Sequence, residues 1–474
     1  MDNKYKFAVI IPIYNVELYL EDSIKSIINQ SIGFEDNIQL ILVNDGSTDK
    51  SEEICLKYKE MYPENIVYIK QENQGASCAR NKGLEIANAK YINFLDADDK
   101  WSYDAFDMVF DFFGENEKEI DVVACRQRLF EGKEEYHQLD YKFEETQIVD
   151  IKEKYDYVQL STASSFIKSE ILKNYRFDER LKYFECAKLI SQIIMEKCKY
   201  GVVSEALYYY RERIKTLSLL QTKDSDKSWY NETIDYGYDY LFEKSKEKFG
   251  NVLPYIQYQV MYDIQSRLSA NVPYYLNEKE QEQYKEKLKY ILKFIDDKII
   301  MEQKYLWKEY KIIALSIKYD ENVIEKLKYR NGSLFYNGIE IYQVIGNQLI
   351  KINNFKIHRN RISIIGCFNC YLPDENHKLY ISINDNEYLI KDVKAYKEEF
   401  SINGVLKHYK KFSFTIPIEH YETKIGFILE YLGKKCNVGQ AYELNDKINK
   451  KISMKQKGIL IKGEKNYILI KKEY

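Results

Sequence analysis

The sequence has few histidines, no long apolar run and no large excess of either charge. It contains five His in 474 residues, and 71 Lys and Arg against 74 Asp and Glu. This near balance argues against a dedicated nucleic-acid-binding protein, in which a basic excess is expected. No uninterrupted apolar stretch approaches the roughly 20 residues that a membrane-spanning helix needs. We therefore expect neither a nucleic-acid partner nor a transmembrane segment.

The features of a secreted protein are also missing. The first residues, MDNKYKFAVIIPIYN, enter a predicted strand after six polar residues, without the apolar region or cleavage site of a signal peptide. The eight Cys are scattered, which is typical of reduced thiols and not of a disulfide framework. We expect a cytoplasmic protein, with peripheral association at the inner face of the membrane as an open alternative.

The length predicts two or three domains, and the first hundred residues alternate between strands and helices. Such alternation is typical of a parallel sheet with crossover helices, in which ligands bind beyond the carboxyl ends of the strands. Ser47, Thr48 or Asp49 is expected to cap the second helix. The predicted strands are 7–13, 38–43, 66–69 and 91–95, and the predicted helices are 17–30, one ending near 62, and 76–87.

The remainder of the chain changes character twice. Residues 226–329 have the helical period, and Asn277 is a candidate helix cap. From about residue 335 the apolar residues alternate with period two, which predicts an antiparallel β-sandwich. The expected domains are therefore residues 1–225, 226–330 and 335–474.

Three carboxylates follow the strand that ends in the stretch YINFLDADDKW. The apolar run Ile92–Leu95 is followed by Asp96, Asp98 and Asp99. One interpretation is a solvated turn that caps the next helix, and the other is a site for a divalent cation with oxygen ligands. The first His is His137, so neither imidazole nor thiolate is expected beside these aspartates. If a metal binds here, it should be Mg²⁺ or Mn²⁺ and not zinc.

Four motifs in order, VIIPIYN, LVNDGSTD, NQGASCARNKGL and FLDADD, resemble those of the family 2 inverting glycosyltransferases. The resemblance covers residues 1 to about 220 and implies an α/β fold of the GT-A type, a Rossmann-like nucleotide-binding domain. It also implies a nucleotide-diphosphate sugar as donor, most simply a UDP-sugar. The helical region and the sandwich are similar, in arrangement only, to accessory regions of Gram-positive enzymes that glycosylate wall teichoic acid or capsule.

The resemblance assigns roles to residues around the strand ends. Asp98 would bind the metal and bridge to the diphosphate, and Asp96 would hold the ribose or a metal-bound water. Asp99 would cap or orient the site. The remaining donor-site residues would be Pro12, Tyr14 and Asp45 in the base pocket, and Arg80 at the phosphate or ribose.

One motif departs from the family. In NYRFDERLKYFECAKLI the resemblance implies a Glu-Asp pair whose Asp acts as general base, whereas this chain has Glu185 followed by Cys186. Another carboxylate, Glu185 or Asp178, could serve as base instead. In YYYRERIKTLS, Arg211 and Arg213 are candidates to close over the diphosphate, and a solvated basic turn is the alternative.

These observations leave three hypotheses. The first is a metal-dependent inverting glycosyltransferase that moves a sugar from a UDP-sugar to a cell-surface polysaccharide or teichoic acid precursor. The second is a catalytically silent protein that binds glycans or sugar nucleotides. The third is an engineered variant in which cysteine replaced the aspartate. Self-association through the C-terminal domain is an open alternative in each.

Overall fold

The structure is a computed structural model, and it describes residues 3–214, 222–268, 275–330, 333–343, 349–358, 361–370, 377–391, 393–401, 404–417, 422–431, 434–444, 447–449, 452–456, 459–463 and 467–472. The chain divides into two compact units, Met1–Ile299 and Ile300–Tyr474. Among the described residues, no helix is long and apolar enough to cross a membrane. The three-domain division expected from the sequence stays a prediction.

The first unit alternates strands and helices, as expected. Its strands are β1 Tyr5–Ile13, β2 Ile38–Asp45, β3 Ile66–Gln71, β4 Ala89–Phe94, β5 Lys100–Trp101, β6 Val122–Phe130, β7 Gln147–Asp150, β8 Ser165–Lys168 and β9 Lys199–Arg211. Its helices up to β9 are α1 Leu20–Ile28, α2 Phe34–Asn37, α3 Ser51–Met61, α4 Ala76–Ile86, α5 Ala105–Glu115 and α6 Glu185–Lys197.

The strands form one mixed sheet in the order β3-β2-β1-β4-β8-β6-β9-β5, with β7 paired to β9. β1 to β4 are parallel, as the sequence predicts. The sheet then reverses, because β8 pairs antiparallel with both β4 and β6. All eight residues of β2 are buried, which explains its continuous apolar pattern. The carboxyl ends of β1, β2 and β4 therefore share one edge, where the sequence motifs end.

Helix positions agree with the sequence, and the ends differ by a few residues. α1 is shorter than expected and buries Leu20, Ile24 and Ile27. Asp49 accepts a hydrogen bond from the Ser51 N–H, so it satisfies the start of α3 although Lys50 is the capping position. α4 packs closely on β1 at Gly83. A Cβ at this position would lie only 2.5 Å from Ile10 Cγ2, so the close approach requires glycine.

A helical segment completes the first unit and extends into the second. It comprises α7 Lys227–Glu232, a π-helical turn Thr233–Tyr238, α8 Asp239–Phe249, α9 Pro254–Leu268, α10 Glu278–Leu292, α11 Asp297–Glu302 and α12 Lys308–Tyr319. The predicted cap is confirmed: Asn277 accepts from the Glu280 N–H, and Glu280 accepts from the Asn277 N–H. α11 spans the boundary between the two units.

After α12, the second unit consists of β-strands that are mostly antiparallel, as the alternating pattern predicts. Its strands are β10 Lys328–Arg330, β11 Ser333–Tyr336, β12 Ile339–Gln343, β13 Leu349–His358, β14 Arg361–Cys370, β15 His377–Ile383, β16 Asn386–Leu389, β17 Val393–Ser401, β18 Gly404–Pro417, β19 Glu422–Tyr431, β20 Lys434–Leu444, β21 Lys447–Asn449, β22 Ile452–Gln456, β23 Ile459–Gly463 and β24 Ile468–Lys472.

One predicted turn and one unpredicted strand pair are seen in this unit. The predicted NDNE turn is confirmed, since Asn384 and Asp385 adopt positive φ between β15 and β16. Leu432 and Gly433 of the predicted LGKK turn lie outside the described residues. Strands β13 and β20 form a parallel pair that alternation alone does not reveal.

Candidate active site

Asp45 ends β2 and holds the loop that precedes α4. Its Oδ1 accepts hydrogen bonds from Gln71 Nε2 at 2.7 Å and the Gln74 N–H at 2.9 Å. Its Oδ2 accepts from the Gly75 N–H at 2.8 Å, and Gly75 adopts φ +93°. The carboxylate is buried. Asp45 therefore shapes the start of α4 in addition to any contact with a ligand.

Two other predicted base-pocket residues lie at the end of β1. Pro12 is partly buried within the strand, and Tyr14 follows it with half of its surface exposed. Asn15 connects this loop to the loop after β2, because its Oδ1 accepts from the Thr48 N–H at 2.8 Å. The structure thus places Pro12, Tyr14 and Asp45 on neighbouring parallel strand ends.

The three aspartates after β4 point to different partners. Asp99 is buried and accepts hydrogen bonds from the Tyr208 hydroxyl and, at 2.7 Å, from the Arg211 N–H. Burial, and then repulsion from Asp98 and Asp96, holds the pKa of Asp99 well above its usual range. Asp99 therefore fastens the turn to β9, which agrees with the orienting role expected for it.

Arg211 and Arg213 differ in their freedom to reach a ligand. Arg211 is buried, and its Nε donates to the Asp98 carbonyl at 2.6 Å while its remaining nitrogens pair with Glu131 and Asp22. Arg213 Nε instead donates to the Asp98 side chain, Oδ2, at 2.6 Å. Arg211 thus helps to hold the turn in place, whereas Arg213 contacts the carboxylate that the family resemblance assigns to the metal.

Arg80 connects the aspartate turn to the start of α6. It lies on α4, is buried, and donates from Nη2 to Asp96 Oδ1 at 2.9 Å and from Nη1 to Glu185 Oε1 at 3.1 Å. Its guanidinium also lies over the Phe177 ring. Its Nε is buried without a hydrogen-bond partner. Arg80 therefore connects Asp96, at the expected sugar-donor site, with Glu185, at the expected acceptor site. Its Nε–H is a hydrogen-bond donor that remains unused.

Cys186 lies beside this ion pair. Its thiol is 3.5 Å from Glu185 Oε1, and the Thr162 hydroxyl donates to its Sγ at 3.1 Å. Burial and the neighbouring Glu185 raise the pKa of the Cys186 thiol to about 12, although Arg80 opposes this. Asp96 also raises this pKa, so a thiol lies near the aspartates, whereas the expectation from the sequence concerned a thiolate. The thiol is protonated at neutral pH, so it does not add a soft ligand.

Asp178, the other alternative base, is already paired. It accepts from Lys188 Nζ at 2.6 Å and forms a two-pronged pair with Arg180. These partners hold the pKa of its carboxyl well below the usual range. As a low-pKa carboxylate held by two cations, Asp178 is a weak proton acceptor.

The donor set near the aspartates suits a hard cation. Burial raises the pKa of Asp96, as does repulsion from Asp98, while Arg80 lowers it. Added positive charge would relieve that repulsion, and carboxylate oxygens are ligands of Mg²⁺ and Mn²⁺. In the described part of the chain no group of three or more His, Cys, Asp or Glu is already arranged to hold a metal. Asp98 and Asp96 fit the ion chemically once Arg213 releases Asp98.

Several residues of this site were not found from the sequence. Tyr208 orients Asp99, Thr162 contacts Cys186, and the Ser23 hydroxyl donates to the Ala97 carbonyl at 2.8 Å within the aspartate turn. Tyr208 belongs to the YYYR run, whose spacing from Arg211 was the one available signal. Ser23 and Thr162 are distant in sequence and carry no local signal.

Comparison with known proteins identifies the class. The model of Glycosyl transferase family 2 matches residues 8–180. The chain is 34% identical over 390 residues to the minor teichoic acid biosynthesis protein GgaA of Bacillus subtilis (strain 168), which covers 79% of this chain and 83% of GgaA. The chain belongs to glycosyltransferase family 2, and it is an enzyme of the glycosyltransferase class.

Two further likenesses concern length and fold. The chain is 40% identical over 425 residues to the minor teichoic acid biosynthesis protein GgaB of the same organism, covering 88% of this chain but 47% of GgaB. The chain thus spans about half the length of that relative. The crystal structure of S. aureus TarS matches with a TM-score of 0.55 and 15% identity, covering 98% of this chain and 85% of TarS. That likeness shows a common fold.

Proposed function

We propose that this enzyme transfers a sugar, with inversion at the anomeric carbon, from a UDP-sugar to a hydroxyl of a teichoic acid precursor in a divalent-metal-dependent reaction at the cytoplasmic side of the membrane. The observation that carries the proposal is the meeting of Asp96, Arg80 and Glu185 at one edge of the sheet. Through Arg80, the aspartates that could hold a cation at the diphosphate are connected to the start of α6, which is expected to face the acceptor.

Relatives and neighbours support the choice of donor and acceptor. Structures of S. aureus TarS 1-349 are described in complex with UDP and with UDP-GlcNAc, with TM-scores of 0.52 to this chain. GgaA and GgaB are named for minor teichoic acid biosynthesis. The TarS complexes favour a uridine nucleotide as donor, and the names of GgaA and GgaB favour a teichoic acid precursor as acceptor.

Each residue has a defined part in the proposed reaction. Asp98 and Asp96 would hold Mg²⁺ or Mn²⁺, which supplies positive charge to the diphosphate leaving group. Arg80 keeps Asp96 oriented, and Asp45, Pro12 and Tyr14 would form the base pocket. Arg213, released from Asp98, would reach the diphosphate, while Arg211 and Asp99 hold the turn in place.

The proposed reaction still requires a group that removes the proton from the acceptor hydroxyl. An inverting transfer needs a base beside the acceptor hydroxyl, and a thiol with a pKa of about 12 is almost entirely protonated at neutral pH. Glu185, paired with Arg80, is the carboxyl group beside it. The same observation favours a second candidate function, a protein of this family that binds the sugar nucleotide or glycan with little turnover.

Calorimetric titration of UDP tests the donor site. We expect UDP to bind more tightly with Mn²⁺ than with EDTA, and Asp98→Ala to lose this metal-dependent part of the affinity. Lys100→Ala is a matched control, since it removes a neighbouring charged side chain that stacks on Phe130. UDP binding that ignores both EDTA and Asp98→Ala would contradict the proposed metal site.

A further inference from the structure

The two compact units carry opposite charge. Residues 300–474 contain 30 Lys and Arg against 20 Asp and Glu, whereas residues 1–299 contain 41 against 54. The near-neutral chain is therefore the sum of an acidic unit that holds the candidate active site and a basic β-unit. A surplus of positive charge confined to one unit favours an anionic partner for that unit.

Three adjacent strands, β13, β14 and β18, carry six of these Lys and Arg and account for more than half of the unit's net surplus of ten positive charges. β14 lies between β13 and β18 and pairs antiparallel with both. None of the three strands contains a single Asp or Glu. Since strands lie about 4.8 Å apart, this region extends roughly 10 Å across the sheet without a carboxylate.

Alternation separates an apolar and a polar face on these strands. The inward residues, such as Ile352, Ile364 and Phe412, belong to the core of the unit. The outward face, which we call the basic face, carries Lys351, Lys356, His358, Arg361 and Lys411. Lys356, His358, Arg361 and Lys411 are exposed, and Lys351 is partly buried.

Hydroxyl groups lie among these side chains. Lys356 is opposite Ser363, which in turn is opposite Thr415. The Ser363 and Thr415 hydroxyls are 2.7 Å apart on the exposed surface, which confirms that they share the basic face. The face therefore combines point charges for phosphates with neutral donors and acceptors for sugar or polyol hydroxyls.

We propose that the basic face of β13, β14 and β18 binds the phosphodiester backbone of a linear polyanionic acceptor. This inference rests on the proposed function, because a teichoic acid precursor is such a polymer. Docking at a site on the second unit would raise the local concentration of acceptor hydroxyls for the first unit. The active site itself then needs to hold only the terminal repeat.

An anionic membrane is the alternative occupant, and the described surface disfavours it. Peripheral membrane binding usually combines basic residues with exposed apolar side chains that enter the headgroup region. The large exposed apolar residues described in the second unit are Tyr305, Trp307, Tyr319, Tyr388 and Leu389, none of which lies on β13, β14 or β18. The basic face thus offers charge and hydroxyls without an apolar anchor.

Binding of the full chain to synthetic poly(glycerol phosphate), measured at several salt concentrations, tests the proposal. The double variant Lys356→Glu, Arg361→Glu should weaken binding at low salt by about tenfold or more, and lower the slope of log affinity against log salt by about one per lost cation. Lys462→Glu is the control, an exposed lysine on β23 of the same unit. It should lose much less affinity.

The accompanying measurements separate the possible outcomes. Lys356→Gln with Arg361→Gln removes charge without introducing repulsion, and an unchanged circular dichroism spectrum shows that each variant is folded. Equal losses in the Lys462 control, or no loss in the double variant, would overturn the basic face. Loss of binding to phosphatidylglycerol vesicles with polymer binding unchanged would replace it with a membrane surface. If the chain transfers no sugar but the double variant still binds the polymer more weakly, the proposed function is wrong and the docking surface stands.

Discussion

Arg213 Nε lies 2.6 Å from Asp98 Oδ2, so an arginine contacts the carboxylate that a divalent cation is proposed to bind. Arg213 also lies over the Tyr19 ring. Because Asp98 cannot accept the guanidinium and the ion with the same oxygen at the same time, the two cations compete. Metal binding should therefore release Arg213 toward the diphosphate.

Replacing Arg213 should strengthen metal binding. With Arg213→Gln, the affinity for Mn²⁺ in the absence of nucleotide should rise several-fold, because the competing ion pair is gone. UDP affinity in the presence of Mn²⁺ should fall, since one phosphate contact is lost. Titration of Mn²⁺ followed by its paramagnetic relaxation of water measures the first effect directly. Unchanged Mn²⁺ affinity would show that Arg213 does not compete for Asp98.

Restoring a carboxylate at position 186 should increase turnover. Aspartate has a reference pKa of about 3.9 and is ionised at neutral pH, whereas the Cys186 thiol is not. A positioned general base contributes about 10²–10⁴-fold, so Cys186→Asp should raise sugar transfer by up to that factor with UDP-sugar affinity nearly unchanged. Cys186→Ser is the control of similar size. Ordinary rates in the unaltered chain, with no gain from aspartate, would place the base elsewhere.

The pH profile of transfer distinguishes the two candidate bases. If the Cys186 thiolate accepts the proton, the rate should rise about tenfold per pH unit above neutrality, because its pKa is about 12. If Glu185 serves instead, this tenfold rise should be absent, since the thiolate then takes no part in the reaction. Initial rates with the donor at saturation provide the measurement. A profile that falls above neutrality would fit neither residue.

Asp45 should matter for stability as well as for binding. Its carboxylate accepts three hydrogen bonds within 2.9 Å, two of them from the backbone of the loop before α4. Hydrogen bonds to charged groups contribute about 1.5–3 kcal/mol, so Asp45→Asn should lower the free energy of unfolding by about that amount. Gln71→Ala removes one of the three donors and should cost less. Urea denaturation compares the two, and unchanged stability in Asp45→Asn would leave Asp45 as a ligand contact alone.

The strands from β11 onward should not be required for nucleotide binding. A chain ending at residue 330 lacks β11 to β24 and therefore the whole basic face, but keeps every residue of the candidate active site. It should bind UDP with Mn²⁺ as the full chain does, and lose affinity for the polyanion. Loss of nucleotide binding in a folded, truncated protein would contradict the expected domain boundary near residue 330.

The predictable part of the fold follows from local pattern. The four parallel strands and their crossover helices have strong apolar periods, and their ends differ from the predictions by a few residues. The antiparallel continuation through β8 was not predicted, because Ser165–Lys168 is too short for a clear alternation. For the same reason, β5 with two residues carries no pattern of its own.

The sequence by itself determined the family motifs, the strand ends at Asp45 and Asp96, and the cysteine that follows Glu185, since each is a local sequence of residue types. Only the tertiary structure decided what those residues contact. Arg80 lies more than a hundred positions from Glu185, and Asp98 more than a hundred from Arg213, yet each pair forms an ion pair at the sheet edge. Local pattern holds no information on such pairings, because they depend on how the sheet brings distant strands and helices together.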